Sequence, residues 1–177
     1  YTQTDALFLG TDASVSFQFH RYWTMRGRAA LLRASDVRAN DYLIFIPPNR
    51  LEVALRYEKP TWGTWHNFYV EAKPRYVLRQ NRAPRVITVP EILESKENGI
   101  DLFASDGRIF DFLEAPPAYF WLGASVGISK NVGGSRLDFR LSVDNALNQA
   151  FREYTNRMRY FADEIGRNVS FSATWAF

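Results

Sequence analysis

Arg152, Tyr154, Arg157, Arg159 and Tyr160 crowd into one short polar stretch between Asn145 and Arg167. Guanidinium forks match the paired oxygens of carboxylates and phosphates, and tyrosine rings suit flat chelates. Such a cluster could hold an anion or a flat chelate. The same side chains could instead pack the loop and meet anionic surface lipid. A second set is acidic: Glu91, Glu94, Glu97, Asp101, Asp106, Asp111 and Glu114, between Arg82 and Pro117. Carboxylates are hard-cation ligands, but the EF-hand spacing is absent and a solvated acidic loop explains them as well. A third set places Arg56, Glu71, Lys73, Arg75, Asp138 and Arg140 in the middle of extended segments. These charges could line a wet passage, hold a domain inserted in it, or neutralise one another across neighbouring strands.

Other chemistry finds no footing. There is no Cys, so neither a disulfide framework nor a thiolate metal site exists, and two His do not build a metal centre. Asp12, Ser14 and His20 are close in sequence but lack the pattern of a triad. His20 and His66 read as boundary residues near turns. Gly133-Gly134 is a turn and not a phosphate loop, because no helix follows it. The residues point to no enzyme and no cofactor.

The elements that carry these residues are strands. Side chains alternate across a strand with period two. Seven segments show that alternation, at residues 7–19, 23–35, 50–58, 64–80, 119–130, 135–144 and 168–177, with essentially no helix between them. In the last, Val169, Phe171, Ala173, Trp175 and Phe177 oppose Asn168, Ser170, Ser172 and Thr174. Arg33 breaks the pattern of the second segment, which predicts a bulge or the strand end there. Pro74 predicts a local defect in the fourth. Asp106-Gly107 reads as a small hairpin turn inside the acidic loop.

The polar face carries ionised groups in mid-strand, and the apolar faces of the third to seventh segments read as free of charge. Connections alternate short and long. Aromatic residues Tyr22, Trp23, Tyr57, Trp62, Trp65, Trp175 and Phe177 gather near the short ones. No run of eighteen apolar residues exists, so a helical span is excluded. A membrane β-barrel fits, because half of each strand faces a wet lumen and lowers mean hydropathy. No segment supplies a layer to cover the apolar face. The fold class expected is therefore all-β: an antiparallel transmembrane β-barrel segment. A soluble β-sandwich binding module is the competing architecture.

Val143-Asp144-Asn145-Ala146-Leu147-Asn148-Gln149-Ala150-Phe151, Tyr154, Arg157–Phe161, Gly166-Arg167-Asn168 and the terminal Phe177 resemble the end of TonB-dependent outer-membrane receptors. The stretch Ile46-Pro47-Pro48-Asn49-Arg50-Leu51 is similar to a loop-to-strand junction of that family. Ala146 and Ile165 depart from the pattern, where Leu and Pro are usual. The general style resembles a Bacteroidetes-type receptor. The resemblance implies a 22-stranded barrel with an N-terminal plug, of which residues 1–177 would be about the last seven strands, with the plug absent.

Further expectations follow from that resemblance. The protein lies in the outer membrane of a Gram-negative bacterium and imports a ferric siderophore or similar scarce ligand. The TonB-ExbB-ExbD system energises it through the missing N-terminal part. Outer-membrane lipid and lipopolysaccharide surround it, and the BAM machinery assembles it through the C-terminal strand, with Phe177 as insertion signal. Nucleic acid is not a partner. The Arg152–Tyr160 cluster becomes a ligand contact at the extracellular mouth, and the mid-strand charges face the lumen or plug. A barrel with a structural or partner-binding role in a surface complex is the alternative.

Overall fold

The computed structural model describes residues 5–100, 102 and 110–177. Alternating sequence becomes one antiparallel sheet. Strand β1 (Ala6–His20) pairs β2 (Trp23–Asp36), and a two-residue β3 (Asp41–Tyr42) attaches to the end of β2. The path continues through β4 (Arg50–Trp62), β5 (Trp65–Val77), β6 (Tyr119–Val132), β7 (Ser135–Asp144) and β8 (Asn168–Ala176). The seven long strands are those the alternation marks, in meander order. Gly133 and Gly134 turn β6 into β7 with φ of 55° and 88°, the paired positive dihedrals that a tight hairpin requires.

Register shows why the two faces stay distinct. On one face Glu52 lies opposite Arg75, Arg56 opposite Glu71, Ser129 opposite Asp138 and Ser142 opposite Ser170. On the other, Val70 meets Val126, Ile128 meets Phe139, and Leu141 lies between Val126 and Phe171. A slip of one residue would exchange every side chain between faces. Leu141 is 47 % exposed and Phe171 67 % exposed, and no strand touches any other than its sheet neighbours. Among the described residues, the apolar face therefore has no second layer over it. Buried apolar side chains such as Ile46, Ile87, Ala115 and Tyr154 sit instead among the long loops.

Several details depart from expectation. Strand β4 runs on to Trp62 through Pro60, so the turn to β5 is only Gly63-Thr64. The pairing of β2 with β4 ends at Trp23 opposite Tyr57, so Pro60 removes no donor that β2 needs. This extension brings Lys59 onto the apolar face opposite Phe68, and Lys130 also lies there, 5.0 Å over the Trp65 ring. Both stand near the tight turns, beside a group of aromatic rings. That group is continuous in ring contacts from Trp23 and Tyr57 to Phe68 and Trp62. No bulge forms at Arg33, which pairs Leu9 in unbroken register; the shift in that hairpin lies between Gln18 and His20. Arg33 is tolerated because it stands at the loop end of the sheet. Pro74 does interrupt the β4–β5 ladder, which resumes in the same register.

Helix α1 (Val89–Glu97) lies in the acidic loop, where no helix was expected. Its signal is Thr88-Val89-Pro90-Glu91. The Thr88 hydroxyl accepts from the Glu91 N–H, and the Glu91 carboxylate accepts from the Thr88 N–H at 2.8 Å, a capping box with proline in the first turn. The Thr88 backbone N–H, ahead of its hydroxyl, holds the Glu91 carboxyl below its usual range. Asp101 and the Asp106-Gly107 turn fall outside the described residues.

Candidate functional site

The long loops meet at one end of the sheet, around Asp111. Its backbone is pinned first: the Ile87 N–H donates to the Asp111 carbonyl at 2.9 Å, and the Asp111 N–H to the Arg85 carbonyl at 3.0 Å. Its carboxylate then receives Arg159 on one oxygen and the Tyr160 hydroxyl, at 2.6 Å, on the other. Arg159 sits on a single-turn helix (Arg157–Tyr160), capped by Asn156, whose side chain accepts from the Met158 N–H at 2.9 Å. Arg159 also donates to the Glu114 carbonyl at 3.2 Å and lies over the rings of Tyr154 and Tyr160 at 4.7 and 4.6 Å. Phe45, from the loop before β4, contacts both tyrosine rings.

Three loops distant in sequence are therefore tied through one ion pair whose side chains are each 1 % exposed. A pair this buried holds its place through additional hydrogen bonds and stacked rings, because desolvation opposes it. Burial, then the neighbouring Asp111 charge, pushes the Tyr154 hydroxyl up to about 12; burial, then its hydrogen bond to Asp111, does the same for Tyr160. The folded loops thus favour the neutral phenols. Their contribution is intact below the unfolded value of about 10 and is lost as pH climbs towards about 12. Ultraviolet titration is expected to show Tyr154 and Tyr160 ionising late, their signal assigned by Tyr→Phe replacement, together with rising protease cleavage of residues 145–167. Cleavage that rises already near neutral pH would contradict this link.

The five residues first singled out divide. Tyr154 and Arg159 are each 2 % exposed and belong to the tie. Tyr160 lies at its edge. Arg152 binds Asp163 and the Arg159 carbonyl, the latter at 2.7 Å. Arg157 is exposed, 5.5 Å over the Phe45 ring. Of the acidic residues, Glu91 binds Arg85, Glu114 binds Arg79, and Asp111 is consumed by Arg159. Sequence reading missed Asp111 and Phe45 as members of this cluster. The only local signal was an acid flanked by apolar residues, Phe110 and Phe112.

Base geometry at the start of the last loop explains the resemblance motif. Asn145 and Asn148 adopt φ of 49° and 52°, which Asn tolerates. Asn145 both donates to the Gln149 carbonyl and accepts from its N–H, at 2.9 and 3.0 Å. Asn148 accepts from the Arg167 N–H at 2.8 Å, and a Cβ on Gly166 would stand 2.8 Å from that same oxygen. The two ends of the loop are clamped by these contacts.

On the polar face, Glu71 takes Lys73 at 2.8 Å and Arg56 at 3.8 Å, Arg75 takes Glu52 at 2.9 Å, and Asp138 takes Arg136 at 2.8 Å. Arg56 lies 3.9 Å over the Tyr69 ring and Arg75 4.8 Å over Trp121. Arg140 has no ionic partner among the described residues. The wall is thus largely self-neutralised and yet carries uncommitted arginines.

No family model matches the chain, and no curated protein matches it in sequence. Solved structures do. The fold is similar to that of the copper transporter OprC. The TM-score is 0.69 at 20 % identity, over 99 % of this chain and 23 % of that one. The likeness covers the whole sheet, and the chain spans less than a quarter of the length of OprC. It shows the fold: an antiparallel sheet like one sector of an outer-membrane transporter's barrel.

Proposed function

We propose that this chain is the C-terminal sector of an outer-membrane receptor barrel that imports a scarce ligand with energy relayed by TonB. The observation that carries the reading is the uncovered apolar face beside a polar face of paired charges, on strands joined alternately by tight turns and long loops. Soluble sheets bury one face; here only hydrocarbon suits it. Two open edges, β1 and β8, demand further strands, since unpaired backbone in lipid costs several kcal/mol per group. Those strands and a plug would lie elsewhere in a longer protein of a Gram-negative outer membrane. The mechanism requires no bond chemistry and no cofactor from this chain: loops capture, the plug rearranges, and cargo passes the lumen.

The loop end would face outwards, towards lipopolysaccharide, and the tight turns the periplasm. Arg152, Arg157 and Tyr160 are the side chains of the original cluster that reach solvent, and they would meet the ligand; Tyr154 and Arg159 would hold them in place. The solved neighbour is named as a copper transporter. Soft ligands for bare copper are scarce here, with no Cys, two Met and two His in 177 residues. Arginine and tyrosine suit a metal carried inside an anionic chelate, such as a ferric siderophore.

Cells making the full-length receptor are expected to accumulate a labelled ferric chelate or labelled copper only while TonB is active. Equal accumulation without TonB would contradict the reading. Removing Phe177 is expected to lower the amount of receptor assembled by the BAM machinery, measured as heat-modifiable barrel in outer-membrane fractions. Unchanged assembly would remove Phe177 from that role.

A further inference from the structure

The arginines of the polar wall are not equally committed. Ser14, Arg28, Glu52 and Arg75 stand in one row across β1, β2, β4 and β5. Glu52 lies between two guanidinium groups but binds only Arg75, at 2.9 Å. Arg28 is left without an ionic partner among the described residues, and so is Arg50 in the adjoining row, where small Ala30 separates it from Asp12. These residues surround a cavity of about 380 Å³. It is nearer the loop end than the turns, since Arg50 opens β4 and Arg75 lies close to the end of β5.

We propose that this cavity is an oxyanion-binding station on the bore wall, with Arg28 and Arg50 as its forks and the Ser14 hydroxyl as a third donor. Its ligand is a small solute bearing carboxylate or phosphate oxygens. Two arginines one row apart on the neighbouring strands β2 and β4 can each offer a donor fork to such oxygens. Glu52 does not quench them because Arg75 occupies it. Asp12, across Ala30, sets a negative wall opposite the forks, which favours a ligand carrying a hydroxyl or cationic group beside its anion over a bare polyanion. The inference rests on the proposed function, in which this face borders water.

The test uses the full-length receptor in detergent, with succinate and inorganic phosphate as probes, followed by calorimetry. Wild type and an Arg21→Gln control, altered in the exposed β1–β2 turn, are expected to bind at least one probe with equal affinity, and Arg28→Gln/Arg50→Gln to bind it at least tenfold more weakly. Equal affinity of the double variant, or no binding by wild type, overturns the station. A double variant that melts lower while wild type binds neither probe also overturns it, assigning the forks to carboxylates of the protein's own bore-filling segment. A Ser14→Cys receptor treated with a membrane-impermeant maleimide separates the two readings. Labelling without probe binding rejects only the station; absence of labelling in the full-length receptor also overturns the station, because the site is then covered, and the aqueous bore is tested separately by alternating cysteine reaction along the last hairpin.

Discussion

Leu141→Arg is expected to destabilise the inserted barrel by about 2–4 kcal/mol, the range for an arginine facing lipid at mid-depth. Ser142→Arg, one residue on, is expected to cost far less. The two positions share a strand, a neighbour on each side and similar sequence context, so propensity cannot separate them. Only facing can. Leu141 lies between Val126 and Phe171, with none of the described residues layered above it. Ser142 lies opposite Ser125 and Ser170, within hydrogen-bonding distance of the latter at 2.8 Å. An arginine there joins a wall that already holds Arg140 and Arg136. Urea unfolding of the full-length receptor in lipid vesicles measures both variants. Equal losses would reverse the assignment of faces.

Arg159→Leu is expected to cost about 3–5 kcal/mol, because it strands a buried carboxylate. The loss should be local at first. Asp111 would lose its ionic partner, the Tyr154 and Tyr160 rings their cation, and the three loops their common tie. Hydrogen exchange is expected to rise at residues 85–87, 111–114 and 154–160 while the strands below stay protected. Asp111→Leu combined with Arg159→Leu should recover part of the loss, since the pair is replaced by apolar contact. A single variant with unchanged loop exchange would show that the tie does not order the loops. The same pair would hold still the rim side chains proposed to meet the ligand: Arg157 and Tyr160 stand on the turn that Arg159 anchors.

The strands and their faces were legible because alternation is a local signal repeated over many residues. Ser135–Asp144 can be read residue by residue as Leu137, Phe139, Leu141 and Val143 against Arg136, Asp138, Arg140 and Ser142. The length of β4 was less legible: Pro60 reads as a terminator unless it is known that β2 has already ended beside it. Under the proposed function, Lys59 and Lys130 likewise fall on the apolar face because belt positions tolerate what mid-membrane positions do not. Helix α1 had its capping box written in Thr88 and Glu91, but with no strongly apolar face the periodic signal was weak. The loop tie was not legible. Asp111 and Arg159 are 48 residues apart, and no periodicity relates one long loop to another. Arg157 and Arg159 look alike in sequence, yet one is exposed and the other buried, because only Arg159 meets the carboxylate that the Arg85–Ile87 segment fixes.

The most direct measurement exploits the absence of cysteine from these 177 residues, with any cysteine elsewhere in the full-length receptor first replaced by serine. Single cysteines placed in turn at positions 137 to 143 of the full-length receptor, in lipid vesicles, are treated with a water-soluble maleimide. Reaction is expected at Asp138, Arg140 and Ser142 and not at Leu137, Phe139, Leu141 and Val143, in strict alternation. Uniform reaction along the strand, or reaction at the odd positions, would contradict a sheet with lipid on one side and water on the other.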